Sequence, residues 1–139
     1  MTRPDPHPPE VLDLLRRRGP ETRIAVVGAS NNPVKYGNII VKNLAAKGYT
    51  VLPVNPHEKE IAGLTAFPSL AAAPGPLHLV NVVTPPAVTK RILEEAARLG
   101  LAAVWLQDGS WDDAALEVAA KGPYRTVYAA CNMGASNFG

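Results

Sequence analysis

The residues best suited to chemistry follow an apolar run near the start of the chain. Residues 24–27, Ile-Ala-Val-Val, are typical of a buried central strand, and a helical pattern begins at about Tyr36. The loop between them starts with Gly28, Ala29, Ser30, Asn31 and Asn32. This strand–loop–helix order places backbone N–H groups and the positive end of a helix dipole at the carboxyl edge of a sheet, where nucleotide phosphates bind.

The loop departs from the G-x-G-x-x-G fingerprint of dinucleotide sites. Ala29, Ser30 and Asn31 stand where that fingerprint requires its second glycine and its spacing, so we predict a nucleotide-containing ligand that is not a standard dinucleotide. Ser30, Asn31 and Asn32 can donate hydrogen bonds to phosphate, and an ordinary turn capped by its own Asn side chains is the alternative. Lys35 can neutralise a phosphate or can simply be solvated, and the sequence leaves both open.

The loop after the second apolar run also bears on the ligand. An NAD site requires an acidic residue near the end of this strand, where it holds the ribose hydroxyls. Asn55 stands there instead, Glu58 lies further out, and Lys59 offers a positive charge to a phosphate. We interpret His57 as a solvent-exposed loop residue.

A third segment, Thr84-Pro85-Pro86, forms a rigid apolar ledge at the start of a later helix. Such a ledge suits the stacking of an adenine or the cradling of a flexible thiol arm. Plain N-capping by Thr84 is compatible with either use.

No nucleophile and base stand together in the sequence, so we predict no catalytic residue. Asp108 has no evident partner base, and His78 lies within an apolar strand pattern. Cys131 follows Ala129 and Ala130, which cannot activate its thiol; we interpret it as passive, with acyl transfer through Cys131 as the alternative. The three histidines and one cysteine are too scattered to predict a metal site.

Composition restricts the class of protein. The 139 residues, 47% apolar and 19% charged, suffice for one domain with a substantial core. A formal net charge of +2, spread over scattered lysines and arginines, argues against nucleic acid as a partner. One cysteine fits a reducing compartment, and no segment approaches the ~20 apolar residues of a membrane span. We therefore expect a cytoplasmic protein without nucleic-acid or membrane partners, and a homo-oligomer stays open.

Alternating strand and helix patterns predict an α/β fold with a single doubly wound, mostly parallel Rossmann-like sheet and helices on both faces. The expected strands span 24–27, 50–54, 77–83, 102–106 and 125–129, with a short one near 64–66. The expected helices span 8–18, 36–47, 85–99 and 110–121, with a brief one over 69–73. We divide the chain into an N-terminal segment with a short helix (1–20), a domain (21–131) and a C-terminal tail (132–139).

Several details of these helices are specific enough to test. Thr84 is predicted to cap the third long helix, and Ser110 and Asp113 are predicted to form a capping box for the fourth. The buried stripe of the third long helix is expected to comprise Val88, Ile92, Leu93, Ala96 and Leu99.

Five stretches carry a family resemblance. They are residues 24–37 with I-A-V-V-G-A-S, Asn32-Pro33 and Tyr36-Gly37; residues 48–56, G-Y-T-V-L-P-V-N-P; residues 61–63, I-A-G; residues 68–70, P-S-L; and residues 103–107, A-V-W-L-Q. Over about 22–131 the chain resembles the small stand-alone coenzyme A-binding proteins, which are single Rossmann-like domains similar to the N-terminal domain of the succinyl-CoA synthetase alpha subunit.

The resemblance implies coenzyme A as the cofactor and a set of contacts for it. In the family the first loop holds the phosphates, and the loop after the second strand contacts the adenosine side. The implied contacts are Gly28, Ala29, Ser30, Asn31, Asn32, Lys35, Tyr36 and Gly37 for the first loop; Pro53, Asn55, Pro56 and Lys59 for the second; and Val83, Thr84, Pro85, Pro86 and Gln107 for the later strand ends.

The predicted function is non-catalytic binding of coenzyme A or an acyl-CoA at the carboxyl edge of the parallel sheet. An NAD-type nucleotide-binding redox sensor and a protein-interaction scaffold are the alternatives. The sensor would need an acidic ribose anchor after the second strand, and the scaffold would use Trp105, Trp111 and the tyrosines at an interface.

Overall fold

Short apolar segments and amphipathic segments alternate along the chain, and the computed structural model, which describes residues 9–128, turns them into strands and helices. In chain order the described elements are α1 Pro9–Arg16, β1 Arg23–Val27, α2 Tyr36–Ala46, β2 Thr50–Val54, β3 Glu60–Ile61, β4 Leu64–Thr65, β5 Leu79–Val82, α3 Pro86–Arg98, β6 Ala103–Leu106, α4 Asp113–Ala120 and β7 Arg125–Tyr128. Cys131, whose thiol we interpret as passive, and Ala129, the last residue of the final predicted strand, lie outside the described residues.

Five of these strands form one parallel sheet in the order β2-β1-β5-β6-β7. Val27 at the end of β1 is in register with Val54 of β2 on one side and with Val82 of β5 on the other. The chain therefore moves outward from β1 to β2 and then returns to the other side of β1. This reversal creates a switch point beyond the carboxyl ends of β1 and β5, where ligands bind in doubly wound folds.

Each central strand is buried on both faces. Ile24 and Val26 of β1 belong to the core beneath α1 and α2, whereas Ala25 and Val27 belong to the core beneath α3 and α4. Strands covered by helices on both sides have near-continuous apolar sequences, which is why residues 24–27 have no polar alternation. The predicted α/β fold with helices on both faces is confirmed.

One β-hairpin goes beyond the prediction. A short strand was expected near 64–66, and the structure pairs β4 (Leu64–Thr65) with β3 (Glu60–Ile61) in an antiparallel ladder. The two residues between them, Ala62 (φ 53°) and Gly63 (φ 81°), both lie in the left-handed region that such tight turns require. An alanine rarely adopts this conformation, so the sequence signal for the turn is weak.

The brief helix predicted over 69–73 is wrong. The segment forms a turn in which Ser69 Oγ accepts a hydrogen bond from the N–H of Ala72 at 3.2 Å. So short a helix does not recover its nucleation cost, and the residue before Pro74 is disfavoured in the helical conformation.

Both predicted N-caps are also wrong. Pro85 occupies the cap position of α3, and the hydroxyl of Thr84 lies 2.9 Å from that of Thr89 instead. The cap of α4 is Asp112, which accepts a hydrogen bond from the N–H of Ala115 at 2.8 Å. Ser110 donates its hydroxyl to the Gln107 carbonyl at 2.6 Å, so this hydroxyl closes the preceding turn rather than capping the helix.

The stripe predicted for α3 is partly wrong. Leu93 and Ala96 are buried as expected, but Leu99 follows the last helical residue and is 42% exposed. Val88 and Ile92 are only half-buried because they border a cleft at the edge of the sheet.

Asn81, in the central strand β5, generates a stability prediction. It is fully buried, and neither atom of its side-chain amide has a hydrogen-bond partner in the part of the chain that the structure describes. Asn81→Leu removes two unsatisfied polar atoms at similar volume, so we expect the free energy of unfolding in urea to rise by about 1 kcal/mol.

Asn38→Leu is the matched control. This second buried asparagine donates its Nδ2 to the Ser30 carbonyl at 2.9 Å, so its replacement should lower the free energy of unfolding by about 1–2 kcal/mol. An equal loss in both variants would show that the Asn81 amide has a partner, such as a buried water.

Candidate functional site

A cleft with two adjoining lobes opens at the carboxyl ends of β1, β2 and β5. The first, which we call the α2 lobe, has a volume of about 370 Å³ and is lined by Gly28, Ala29, Ser30, Lys35, Tyr36, Gly37, Asn55, Val83, Thr84 and Pro85. All ten were predicted as site residues from the sequence. The cleft lies at the switch point that the strand order creates.

Two glycines allow the start of α2 to pack directly on the loop after β1. A Cβ atom on Gly37 would lie 2.2 Å from the carbonyl oxygen of Gly28, a distance that no side chain tolerates. Gly28 itself has φ 92°, and a Cβ there would lie 2.9 Å from the Val83 side chain. At both positions the space that a side chain would need is filled by the protein itself, so only glycine allows this close contact.

The start of α2 has free hydrogen-bond donors. No side chain caps the helix, and its first turn holds no acidic residue. The backbone N–H groups of Ala29, Ser30 and Gly37 have no acceptor among the described residues. Donors of this kind at a helix N-terminus attract an anion, and the side chain of Lys35 lines the same lobe.

The amide side chains of the first loop serve the loop itself. Asn31 donates its Nδ2 to the Glu60 carbonyl at 2.7 Å and to the Glu58 carboxylate at 3.2 Å. Asn32 accepts from the N–H of Val34 at 3.1 Å. Neither asparagine lines the α2 lobe, so here the structure has the ordinary capped turn that was the alternative interpretation.

Asn55 links the loops after β1 and β2. Its Nδ2 donates to the Ala29 carbonyl at 2.9 Å, and its Oδ1 accepts from the N–H of His57 at 2.8 Å. The residue thus holds the first loop in place, and it occupies the position at which NAD sites carry a carboxylate.

The second lobe, which we call the α3 lobe, has a volume of about 440 Å³. It is lined by Val27, Gly28, Val54, Pro56, Pro68, Ser69, Leu70, Thr84, Val88, Arg91, Ile92, Glu95 and Arg98. Gly28 and Thr84 line both lobes, so a single extended ligand can occupy them together.

Sequence reasoning did not assign a role to the charged residues of the α3 lobe. On the helix that follows the proline ledge, the lobe is lined at three- to four-residue spacing by Val88 and the charged residues Arg91, Glu95 and Arg98. That periodicity was the available signal, since residues at this spacing share one face of a helix.

Four other predicted residues lie outside the lining of either lobe. Pro53 is buried within β2, and Pro86 is the first residue of α3. Lys59 is exposed beside the β3–β4 hairpin, and its carbonyl accepts from the N–H of Ala66 at 2.9 Å. Gln107 is buried, with its carbonyl engaged by Ser110.

His78, interpreted as structural, immediately precedes β5. Its Nδ1 accepts a hydrogen bond from the N–H of Arg23 at 3.0 Å, and its own N–H donates to the Arg23 carbonyl at 2.9 Å. It extends the pairing of β1 and β5 at the edge opposite the cleft.

The cleft has an excess of positive charge. The charged residues that line the two lobes are Lys35, Arg91, Arg98 and Glu95. The tyrosines with perturbed acidity lie elsewhere: burial raises the pKa of Tyr49, and burial together with the nearby Glu94 raises the pKa of Tyr124 to about 12.

The described residues, 9–128, lack both a metal-binding cluster and a membrane-spanning helix. They contain no group of three or more His, Cys, Asp or Glu side chains arranged to hold a metal ion. They also contain no helix with the length and apolar character needed to cross a bilayer.

Similarity to known proteins agrees with the fold. The sequence pattern of the CoA binding domain matches residues 22–136. The chain is 31% identical over 114 residues to the uncharacterised protein YneT of Bacillus subtilis, with 82% of each chain covered. It is 40% identical over 82 residues to an ADP-forming acetate–CoA ligase II alpha subunit of Pyrococcus furiosus, a match that covers 58% of this chain but 18% of that subunit.

A solved structure extends the agreement to the whole fold. A hypothetical protein from Pyrococcus horikoshii superposes with a TM-score of 0.85 at 31% identity, covering 99% of this chain and 96% of that one. The family match spans most of the sequence and includes both loops that form the cleft, and the chain therefore belongs to the CoA binding domain family.

Proposed function

We propose that this protein binds coenzyme A or an acyl-CoA without catalysing a reaction of its own, in the cytoplasm, with the diphosphate of the ligand in the α2 lobe. The observation that carries the proposal is the set of unpaired N–H donors of Ala29, Ser30 and Gly37 beside Lys35. A diphosphate carries acceptor oxygens and negative charge, which suit N–H donors at a helix start and a neighbouring lysine.

The loop after β2 favours coenzyme A over NAD. The ribose of NAD is held by a carboxylate at this position, whereas here Asn55 stands there with both its amide atoms engaged by the protein. The nearby carboxylate of Glu58 accepts a hydrogen bond from Asn31 and lines neither lobe.

The relatives support the same ligand. The Pyrococcus furiosus relative is named an acetate–CoA ligase, and the matched segment is a minor part of that subunit. We infer that the segment contributes binding of the coenzyme and that the ligase activity requires the rest of the subunit.

The chemistry of the cleft supports binding without catalysis. The hydroxyls that line it belong to Ser30, Ser69, Tyr36 and Thr84, and the carboxylate is that of Glu95. The described lining contains no histidine, and Thr84 is paired with Thr89, so among the described residues the cleft shows no hydroxyl nucleophile with an adjacent histidine base.

We expect isothermal titration calorimetry to detect binding of coenzyme A and weaker or no binding of NAD. Lys35→Ala should weaken binding of coenzyme A and of dephospho-coenzyme A by the same factor, about 5- to 10-fold, because it removes one charge beside the diphosphate that both share. Lys42→Ala is the matched control, since Lys42 is an exposed cation on the same helix that lines neither lobe. Tight NAD binding without coenzyme A binding would refute the proposal.

Gly37→Ala tests the loop geometry. The added methyl group must push the start of α2 away from the Gly28 carbonyl, so we expect affinity for coenzyme A to fall by more than about tenfold. Ala46→Gly, at the exposed end of α2, is the control, because it changes one methyl group of the same helix away from the cleft and should leave affinity unchanged. Equal affinity in the wild-type protein and Gly37→Ala would place the phosphates elsewhere.

A further inference from the structure

We propose that Arg91 of α3 recognises the 3′-phosphate of coenzyme A and thereby distinguishes the coenzyme from its dephospho form. The inference rests on the proposed function, because it assumes a diphosphate in the α2 lobe. It assigns the adenosine half of the ligand to the α3 lobe and gives a specific role to a residue that the sequence did not single out.

The position of the α3 lobe favours the adenosine half. Val54 and Pro56, at the end of β2, form part of its wall. In doubly wound nucleotide sites the ribose next to the adenine lies beyond the end of this strand, while the diphosphate lies at the first loop. Because Gly28 and Thr84 line both lobes, a ligand can pass directly from one to the other.

The walls of the α3 lobe suit a flat heterocycle. Val27, Val54, Val88 and Ile92 present aliphatic side chains, and Pro56 and Pro68 add rigid rings. A mostly apolar pocket with few polar groups is the usual environment of a purine, and about 440 Å³ is ample for an adenine with its ribose.

Arg91 has the chemistry that a phosphomonoester requires. Its side chain is exposed at the border of the lobe and has no ion-pair or hydrogen-bond partner among the described residues. Glu95, one turn further along α3, does not form a salt bridge with it. A planar guanidinium binds a phosphate through two parallel hydrogen bonds, and an arginine near the same ribose is how such folds recognise NADP.

The spacing along α3 selects Arg91 rather than Arg98. Arg91 lies five residues after Pro86, the first residue of α3, which corresponds to about 7.5 Å along the helix axis. The start of α3 is the end of the helix nearer to the proposed diphosphate site. Arg98 lies about 10 Å further along the axis, at the far end of the lobe. The 3′-phosphate is separated from the diphosphate by a single ribose, which suits the nearer arginine.

In the proposed arrangement Lys59 makes no contact with the 3′-phosphate. The resemblance implied a contact from Lys59, and its charge after β2 was suited to a phosphate. In the structure Lys59 lines neither lobe. The charge of a cation outside the cleft is screened by water, so it contributes less to the affinity for a phosphate than a cation at the border of the cleft does.

Calorimetric titration of the full chain with coenzyme A and with dephospho-coenzyme A tests the inference. We expect the affinity of the wild-type protein for coenzyme A to exceed its affinity for dephospho-coenzyme A by about tenfold or more, because one charge-assisted bidentate contact provides a difference of this size. Arg91→Ala should reduce this preference to about one while leaving the affinity for dephospho-coenzyme A unchanged. Arg91→Lys should retain part of the preference, because the charge remains but the fork geometry is lost.

Lys42→Ala and Lys59→Ala are the matched controls, since each removes a single exposed positive charge from a residue that lines neither lobe. Both should keep the wild-type preference. Equal wild-type affinities for the two ligands, or a preference lost in either control but kept in Arg91→Ala, would overturn the inference while the proposed function stands. Failure of the wild-type protein to bind either ligand would overturn the proposed function, and this inference with it.

Discussion

The site depends on the contact between the start of α2 and the loop that leaves β1. Gly37 packs so closely against the Gly28 carbonyl that a single methyl group cannot be inserted. This contact orients the helix N-terminus toward the loop and leaves the N–H groups of Ala29 and Ser30 without acceptors. Ser30 is half-buried at the cleft, whereas Ala29 has no exposed surface, so of these two residues Ser30 is the one that a ligand in the α2 lobe can reach without movement of the loop.

The sheet order explains why this contact lies beside a cleft rather than under a helix. α2 covers one face of the sheet and α3 covers the other, so neither crosses the gap above the ends of β1 and β5. The loops after β1 and β5 diverge at this gap. Gly28 in the first loop and Thr84 in the second loop lie between the two lobes and line both of them. The two lobes are therefore a consequence of connectivity, and their different linings come from the two helices.

Local patterns in the sequence predicted the central strands and the phosphate-binding character of the first loop, because these residues are close together in the chain. Asn55 and residues 83–85, which complete the α2 lobe, follow other strands. Residues 24–27 are a short apolar run without polar alternation, which is typical of a strand buried on both sides, and the glycines at 28 and 37 flank a single loop. The errors have a different cause. Thr84 and Ser110 were good local candidates for N-caps, but their hydroxyls bond to Thr89 and Gln107, and the choice between such partners depends on the exact position of the helix start.

The α3 lobe was missed for a reason of the same kind. Arg91 and Arg98 look like ordinary solvated positions in an amphipathic helix, and only the packing of α3 beside the end of β2 makes them part of a cleft. Lys59 is the opposite case. Its position after β2 suggested a contact with the ligand, but it lies beside the β3–β4 hairpin and lines neither lobe. Sequence position alone thus identifies loops that lie at the carboxyl edge, but not which charged side chains face the ligand.

The proposed function assigns the polar groups of the cleft to holding the ligand. In the α2 lobe the free groups are backbone donors and one lysine, which stabilise an anion that already exists. Catalysis requires groups that interact more strongly with a transition state than with the bound ligand, such as a base that accepts a proton as a bond forms. Fixed N–H groups around a diphosphate interact with a charge that stays the same when the thiol of coenzyme A reacts. If the lobes hold the two ends of the nucleotide, the reactive thiol is left outside them, where a second protein or domain could act on it.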